Sequence, residues 1–69
     1  MTKRLITAKD KELLKMLEED LQGEYDAINL YNSHIEKITI PEIKNMLIHI
    51  RDEEVEHVSE LKELLEKYK

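Results

Sequence analysis

Three side chains with metal-binding groups interrupt the apolar stripes of this sequence: Glu24, Glu54 and His57. Glu54 and His57 are three residues apart, which places them one turn apart on the same face of a helix. Carboxylate oxygens and imidazole nitrogens are ligands for iron, manganese and zinc. Burying a carboxylate in an apolar stripe costs several kcal/mol unless a cation or a donor pairs with it. The chemistry expected of this set is therefore metal binding.

The two stripes themselves have the alternating three- and four-residue spacing of helices packed in a bundle. The first stripe is apolar except at Glu24, and the second is apolar except at Glu54 and His57. In chain order the two lines are Leu14, Leu17, Leu21, Glu24, Ile28, Tyr31, Ile35, Ile38 and Ile43, Leu47, Ile50, Glu54, His57, Leu61, Leu64, Tyr68. The spacing predicts two amphipathic helices whose apolar faces carry the candidate ligands near their centres.

The positions of glycine and proline in the chain indicate which helices carry these residues. One Gly and one Pro in 69 residues leave room for little besides helix. Pro41 is tolerated in the first turn of a helix and not in its interior, so it marks the start of the second helix. We expect one domain over residues 1–69, with a helix over about 8–37, a turn over about 38–41 and a helix over about 41–67.

An antiparallel hairpin with its turn near Pro41 brings the candidate ligands to one level. Counting outward from the turn along both helices, Glu24 and His57 are equally far from it, and Glu54 is one turn away. One set of two carboxylates and one imidazole is a poor cage for a metal, whereas two sets are a good one. A two-fold axis through this level would form a four-helix bundle with two sets pointing inward. That is the ligand pattern of carboxylate-bridged di-iron and di-manganese sites.

Charge supports the pairing of two sets with two cations. The four carboxylates of a dimer would be neutralised by two divalent ions, for which iron and manganese are suited and zinc is an alternative. Glu-x-x-His alone is weak evidence in a chain with 16 acidic residues. Its position in an apolar stripe, level with a second carboxylate, is what favours a metal site over polar residues satisfied within the core.

Composition excludes several other classes of protein. The net charge is −5 and no basic patch is present, which argues against nucleic-acid binding. No apolar run is long enough to span a membrane and no secretory signal is present, so a cytoplasmic protein is expected. Cysteine is absent, which excludes disulfides and thiolate metal sites. A chain this short therefore needs a metal or a partner chain for stability, and we expect both.

Other side chains are weaker candidates. Tyr31 is two turns from Glu24 on the same stripe, where its hydroxyl could hydrogen-bond a metal-bound carboxylate or simply pack in the core. His34 is at the edge of the first stripe, where packing or a surface position is favoured. His49 is off the second stripe and is expected to be exposed.

The segments Glu24-Tyr25-Asp26-Ala27-Ile28-Asn29-Leu30-Tyr31 and Arg51-Asp52-Glu53-Glu54-Val55-Glu56-His57 resemble the ferritin-like superfamily. The chain is most similar to its half-length members, the encapsulated ferritins, and less so to rubrerythrins. The resemblance covers roughly residues 10–66 and implies that two-helix chains dimerise into a ferritin-like four-helix bundle. It further implies that Glu24, Glu54 and His57 of each chain bind iron at the interface, with Tyr31 near the metals.

The function implied by this resemblance is a ferroxidase, which oxidises Fe(II) with dioxygen or peroxide for iron storage or detoxification. Two iron ions per dimer, a ring of dimers such as a decamer, and an encapsulin shell as partner or compartment are the further implications. Gly23 stands where the family often has an acidic residue. A rubrerythrin-like peroxide-handling protein is an alternative, although the absence of cysteine removes the usual iron-thiolate electron donor. A metal-stabilised assembly module without redox activity and a metal-free hairpin are the remaining alternatives.

Overall fold

The computed structural model describes residues 8–68, which form two α-helices joined by a short connection. Helix α1 spans Ala8–Lys37 and helix α2 spans Pro41–Tyr68, and residues 38–40 lie between them. The two helices pack side by side along their lengths as an antiparallel pair. The prediction of an all-α two-helix hairpin is confirmed.

The connection between the helices is short because α1 continues to Lys37 and Pro41 already begins α2. The amide of Ile38 donates to the carbonyl of His34 at 3.2 Å, which closes the last turn of α1. Proline disfavours a helical conformation in the residue before it, so Ile40 stays outside the helix. The carbonyl of Ile40 nevertheless accepts the first hydrogen bond of α2, from the amide of Lys44 at 2.9 Å.

The face of α1 that packs on α2 is the apolar stripe expected from the sequence. Its members are buried or half-buried from Leu14 through Glu24 to Ile38, and Ile35 is the most buried, with 9% of its surface exposed. We call the helix–helix contact surface formed by this stripe and its counterpart on α2 the packed seam.

The packed seam of α2 differs from the predicted stripe. Val58 and Leu65 are its most buried residues, at 9% and 5% exposure, and neither was in the predicted line. Ile43 and Leu64, which were in that line, are 47% and 39% exposed, and His57 is exposed as well. The prediction was wrong there because α2 carries two apolar seams one residue apart, and the predicted line mixed them.

The second seams of the two helices share one side of the hairpin, which we call the open face. On each helix its positions come one residue before those of the packed seam, and helical geometry turns both sets toward the same side. The open face comprises Leu13, Met16, Asp20, Gly23, Ala27, Leu30, His34, Ile43, Met46, Ile50, Glu53, His57, Glu60 and Leu64. Six of its apolar members are exposed, namely Leu13, Met16, Leu30, Ile43, Met46 and Leu64.

The hairpin is one helix thick and cannot bury a core by itself. The described residues extend over 51 × 22 × 11 Å with a radius of gyration of 16.0 Å. A compact globule of this length would have a radius of about 11 Å. Only Ile35, Val58 and Leu65 are buried among the apolar residues described. Neither α1 nor α2 contains an apolar stretch that could cross a bilayer. The apolar side chains of the open face are therefore left uncovered by the hairpin itself.

Adjacent leucines test the assignment of the two seams. Leu65→Ala should destabilise the dilute, metal-free hairpin by about 2 kcal/mol, because it removes the most buried side chain from a shallow core. Leu64→Ala should change that stability by about 0.5 kcal/mol or less, since this side chain is on the open face. Urea unfolding followed by circular dichroism measures both. Equal losses for the two variants would contradict the assignment.

Candidate metal centre

The structure brings together the three residues that the sequence predicted as ligands. Glu24 comes from the middle of α1, and Glu54 and His57 come from successive turns of α2. The Nδ1 atom of His57 is 3.6 Å from Oε2 of Glu24 and 3.5 Å from Oε2 of Glu54. One donor atom from each residue fits within a cluster whose members are all within 4.8 Å of one another. The hairpin register thus gives one compact three-donor group.

The three side chains differ in burial because they belong to different surfaces. The carboxylates of Glu24 and Glu54 are on the packed seam, with side-chain exposures of 25% and 22%. His57 is on the open face and is 50% exposed. The sequence predicted that all three residues lie at one level and point into a bundle of two hairpins, and within one hairpin His57 remains exposed. Instead the cluster is closed by the hairpin on one side and accessible from the open face.

One oxygen of the cluster has no hydrogen-bond partner. Oε2 of Glu24 is buried, and no donor among residues 8–68 is within hydrogen-bonding distance of it. Nδ1 of His57 is 3.6 Å from this oxygen, too far for a hydrogen bond, and it also faces the carboxylate of Glu54. Leaving a buried acceptor unsatisfied is unfavourable, and more so when it is charged. A cation between the three donors would satisfy this oxygen.

The spacing of the donors suits a small divalent ion. Metal bonds to nitrogen and carboxylate oxygen of about 2.0–2.2 Å place neighbouring ligand atoms about 3 Å apart. The observed separations of 3.5 and 3.6 Å are therefore slightly wider than a filled site requires. Small side-chain rotations would close the difference. Three protein donors also leave coordination positions open for a second metal, a bridging carboxylate or an oxidant.

An acidic groove on the open side leads to the cluster. Carboxylates provide most of its polar lining, and Glu24 and His57 of the cluster contribute to it. The lining residues are Glu19, Asp20, Gly23, Glu24, His57, Glu60 and Leu61. Their negative charge favours the approach of cations from solvent over that of anions.

The other candidates are outside the cluster. Tyr31 is half-buried on the packed seam and does not belong to the three-donor group. His34 is exposed, and His49 is an exposed side chain whose Nε2 is 3.3 Å from Oε1 of Glu53. Of the three histidines, His57 alone contributes to the three-donor group in the described part of the chain.

A polar clasp on the opposite side of the hairpin was not predicted. Nη1 of Arg51 donates to Oδ1 of Asn32 at 2.9 Å and so links α2 to α1. The same guanidinium is held by Oδ1 of Asp52, at 3.0 and 3.3 Å from Nη2 and Nε. Arg51 is one turn before Glu54, so the clasp helps fix the register of that ligand. The sequence shows an arginine beside the apolar seam of α2, but residue spacing does not identify Asn32 of α1 as its partner.

Comparison with known proteins agrees with this geometry. The model of the EncFtn-like family matches residues 1–69. The chain is also 39% identical over 56 residues to the encapsulin nanocompartment cargo protein EncC of Myxococcus xanthus (strain DK1622). That match covers 81% of this chain and 43% of the relative, so the chain spans less than half the relative's length. No solved structure matches the chain significantly.

The family match extends over the whole chain and includes both helices and all three clustered side chains. The resemblance to encapsulated ferritins inferred from the sequence is therefore confirmed. This chain belongs to the EncFtn-like family of encapsulated ferritin-like proteins.

Proposed function

We propose that two copies of this chain form a ferroxidase centre that binds and oxidises two Fe(II) ions. The observation that carries the proposal is the three-donor cluster of Glu24, Glu54 and His57, with its unsatisfied buried oxygen, beside an accessible face. Iron is the substrate of this reaction. Membership of the EncFtn-like family supports the assignment.

The need for a second copy follows from donor count and charge. One chain offers two carboxylates and one imidazole to a single ion, which leaves half of a typical coordination shell to solvent. Two chains meeting through their open faces supply four carboxylates and two imidazoles. Two ferrous ions then cancel the charge of the four carboxylates, and bridging carboxylates hold the ions a few ångströms apart. The exposed leucine, isoleucine and methionine side chains on both sides of the cluster supply the apolar contact.

The proposed reaction transfers two electrons from two Fe(II) ions to one molecule of oxidant. Each Fe(II) gives up one electron, and dioxygen takes the two electrons with two protons from solvent to form hydrogen peroxide. When hydrogen peroxide is the oxidant instead, it takes two electrons and two protons to form two molecules of water. The anionic oxygens of Glu24 and Glu54 favour the ferric product, because hard anionic ligands stabilise the higher charge.

Accessibility favours oxidation over a purely structural role for the metal. A structural site has every coordination position filled by protein, whereas a reactive site keeps positions open. The half-exposed ring of His57 and the acidic groove beside it leave the cluster reachable for iron and oxidant. In the same proposal, the hydroxyl of Tyr31 turns toward a metal-bound carboxylate once the second copy closes the site.

The wider setting is proposed from the relative. EncC is a cargo protein of an encapsulin nanocompartment, and this chain matches part of it. We therefore place this protein in the cytoplasm as encapsulin cargo, with dimers joined into a ring such as a decamer. A hairpin one helix thick has no interior for a mineral, so the oxidised iron would be stored in the surrounding shell.

Loss of a single ligand tests the proposed activity. Glu54→Ala and His57→Ala should each lower the initial rate of aerobic Fe(II) oxidation at least tenfold, because each removes one donor from both halves of the site. The near-ultraviolet absorbance of Fe(III) and the consumption of oxygen measure the rate in parallel.

The matched control is Glu56→Ala, which removes an exposed carboxylate from between the two ligands. It should retain at least half of the wild-type rate. Wild-type rates in both ligand variants, corrected for oxidation without protein, would refute the ferroxidase assignment. Metal binding by the wild type without oxygen consumption would favour the structural assembly module.

Removal of the metal tests the coupling of iron to association. Without cations, four carboxylates would meet in one layer and repel one another, so the metal-free chain should associate weakly. Anaerobic Fe(II) or Mn(II) should shift the wild type from single hairpins to dimers or larger assemblies. Glu24→Ala should abolish this shift and retain the helical circular dichroism spectrum. Sedimentation velocity with and without metal measures the assembly state. The same assembly state of the wild type under both conditions would contradict the coupling of metal binding to association.

A further inference from the structure

Gly23 is a residue that the hairpin itself does not require. It is in the interior of α1, where glycine is less favourable than alanine because of its backbone entropy. A Cβ atom added to it would meet nothing within 4 Å. No contact inside the described chain therefore explains the absence of a side chain.

The position of Gly23 shows which surface benefits from its small size. It is on the open face, immediately before Glu24, and it lines the groove that leads to His57. Ala27, a second small residue, is one turn further on the same side of α1. Larger open-face residues occupy the turns farther out, including Met16 toward the start of the helix. The two small residues thus form a shallow notch at the level of the metal cluster.

We propose that this notch is the point of closest contact between α1 and the same helix of a second copy. The proposal rests on the dimeric site described above. A two-fold axis through the level of the three-donor cluster crosses α1 near Tyr25, midway between Gly23 and Ala27. The axis therefore brings Gly23 of each copy opposite Ala27 of the other.

Close contact at this level is what a shared metal site needs. The distance between packed helices depends on the side chains at the contact, and small residues allow the shortest distances. The Glu24 carboxylates project from the same turn of α1, so helix separation sets how near the two half-sites come. A long side chain at Gly23 would hold the helices apart there and keep the two sets of donors from sharing metals.

The proposal predicts opposite effects on the hairpin and on the dimer. Gly23→Ala should raise the melting temperature of the dilute, metal-free hairpin by about 3–6 °C through helix propensity. It should nevertheless weaken Mn(II)-dependent association. Gly23→Leu should raise the dissociation constant for that association at least tenfold. Sedimentation velocity over a range of protein concentrations measures the constant, with Mn(II) as the probe.

Asn29→Ala and Asn29→Leu are the matched controls, since Asn29 is exposed on the side of α1 away from the open face. They should change association less than twofold. A Gly23→Leu variant that associates as well as Asn29→Leu would overturn the proposal, as would a wild type that stays monomeric with Mn(II). The Fe(II) oxidation assay is a separate readout. A wild type that associates but does not oxidise iron would contradict the ferroxidase assignment and leave the contact at Gly23 in place.

Discussion

Two half-buried carboxylates facing one imidazole are the constraint on which this structure depends. Glu24 and Glu54 come from different helices, and Nδ1 of His57 faces both of them. Like charges so close together are unfavourable, and an unsatisfied buried oxygen on Glu24 adds to the penalty. A divalent cation relieves both. The chain therefore has a costly arrangement at its centre, which the proposed metal ion would convert into a favourable one.

The same constraint accounts for the shape of the hairpin. The proposed sharing of the cluster between two copies requires the cluster to be at a surface, and the open face of a layer that is 11 Å thick provides that surface. Each helix has two apolar seams, of which one packs within the chain and the other is exposed on the open face. The packed seam holds the carboxylates in register, helped by the Arg51–Asn32 clasp. The open face holds His57 together with exposed apolar residues, so in the proposed dimer one second copy would both cover those residues and complete the metal site.

Much of the hairpin fold and of the candidate site could be predicted from the sequence, because the apolar residues recur at helical spacing. Pro41 marks the boundary between the helices. Glu24 and His57 are the same number of residues from the turn, which predicts that they lie at one level, as they do in the structure. The seam of α2 was less predictable, because Leu64 and Leu65 are equally apolar and only packing decides which one is buried. The exposure of His57 was missed for a related reason, since the apolar pattern does not show whether a residue packs within the hairpin or remains on its surface. The Arg51 clasp depends on side-chain geometry that spacing does not encode.

X-ray absorption at the iron edge of the Fe-loaded protein tests the central claim most directly, namely that each chain holds half of a two-metal site. The account predicts one iron per chain and an iron–iron scattering vector of roughly 3–4 Å, in addition to a first shell of oxygen and nitrogen. Replacing His57 with Ala should remove that vector. A first shell of light atoms with no iron–iron scattering at full loading would show isolated ions on separate hairpins, and would contradict the shared site.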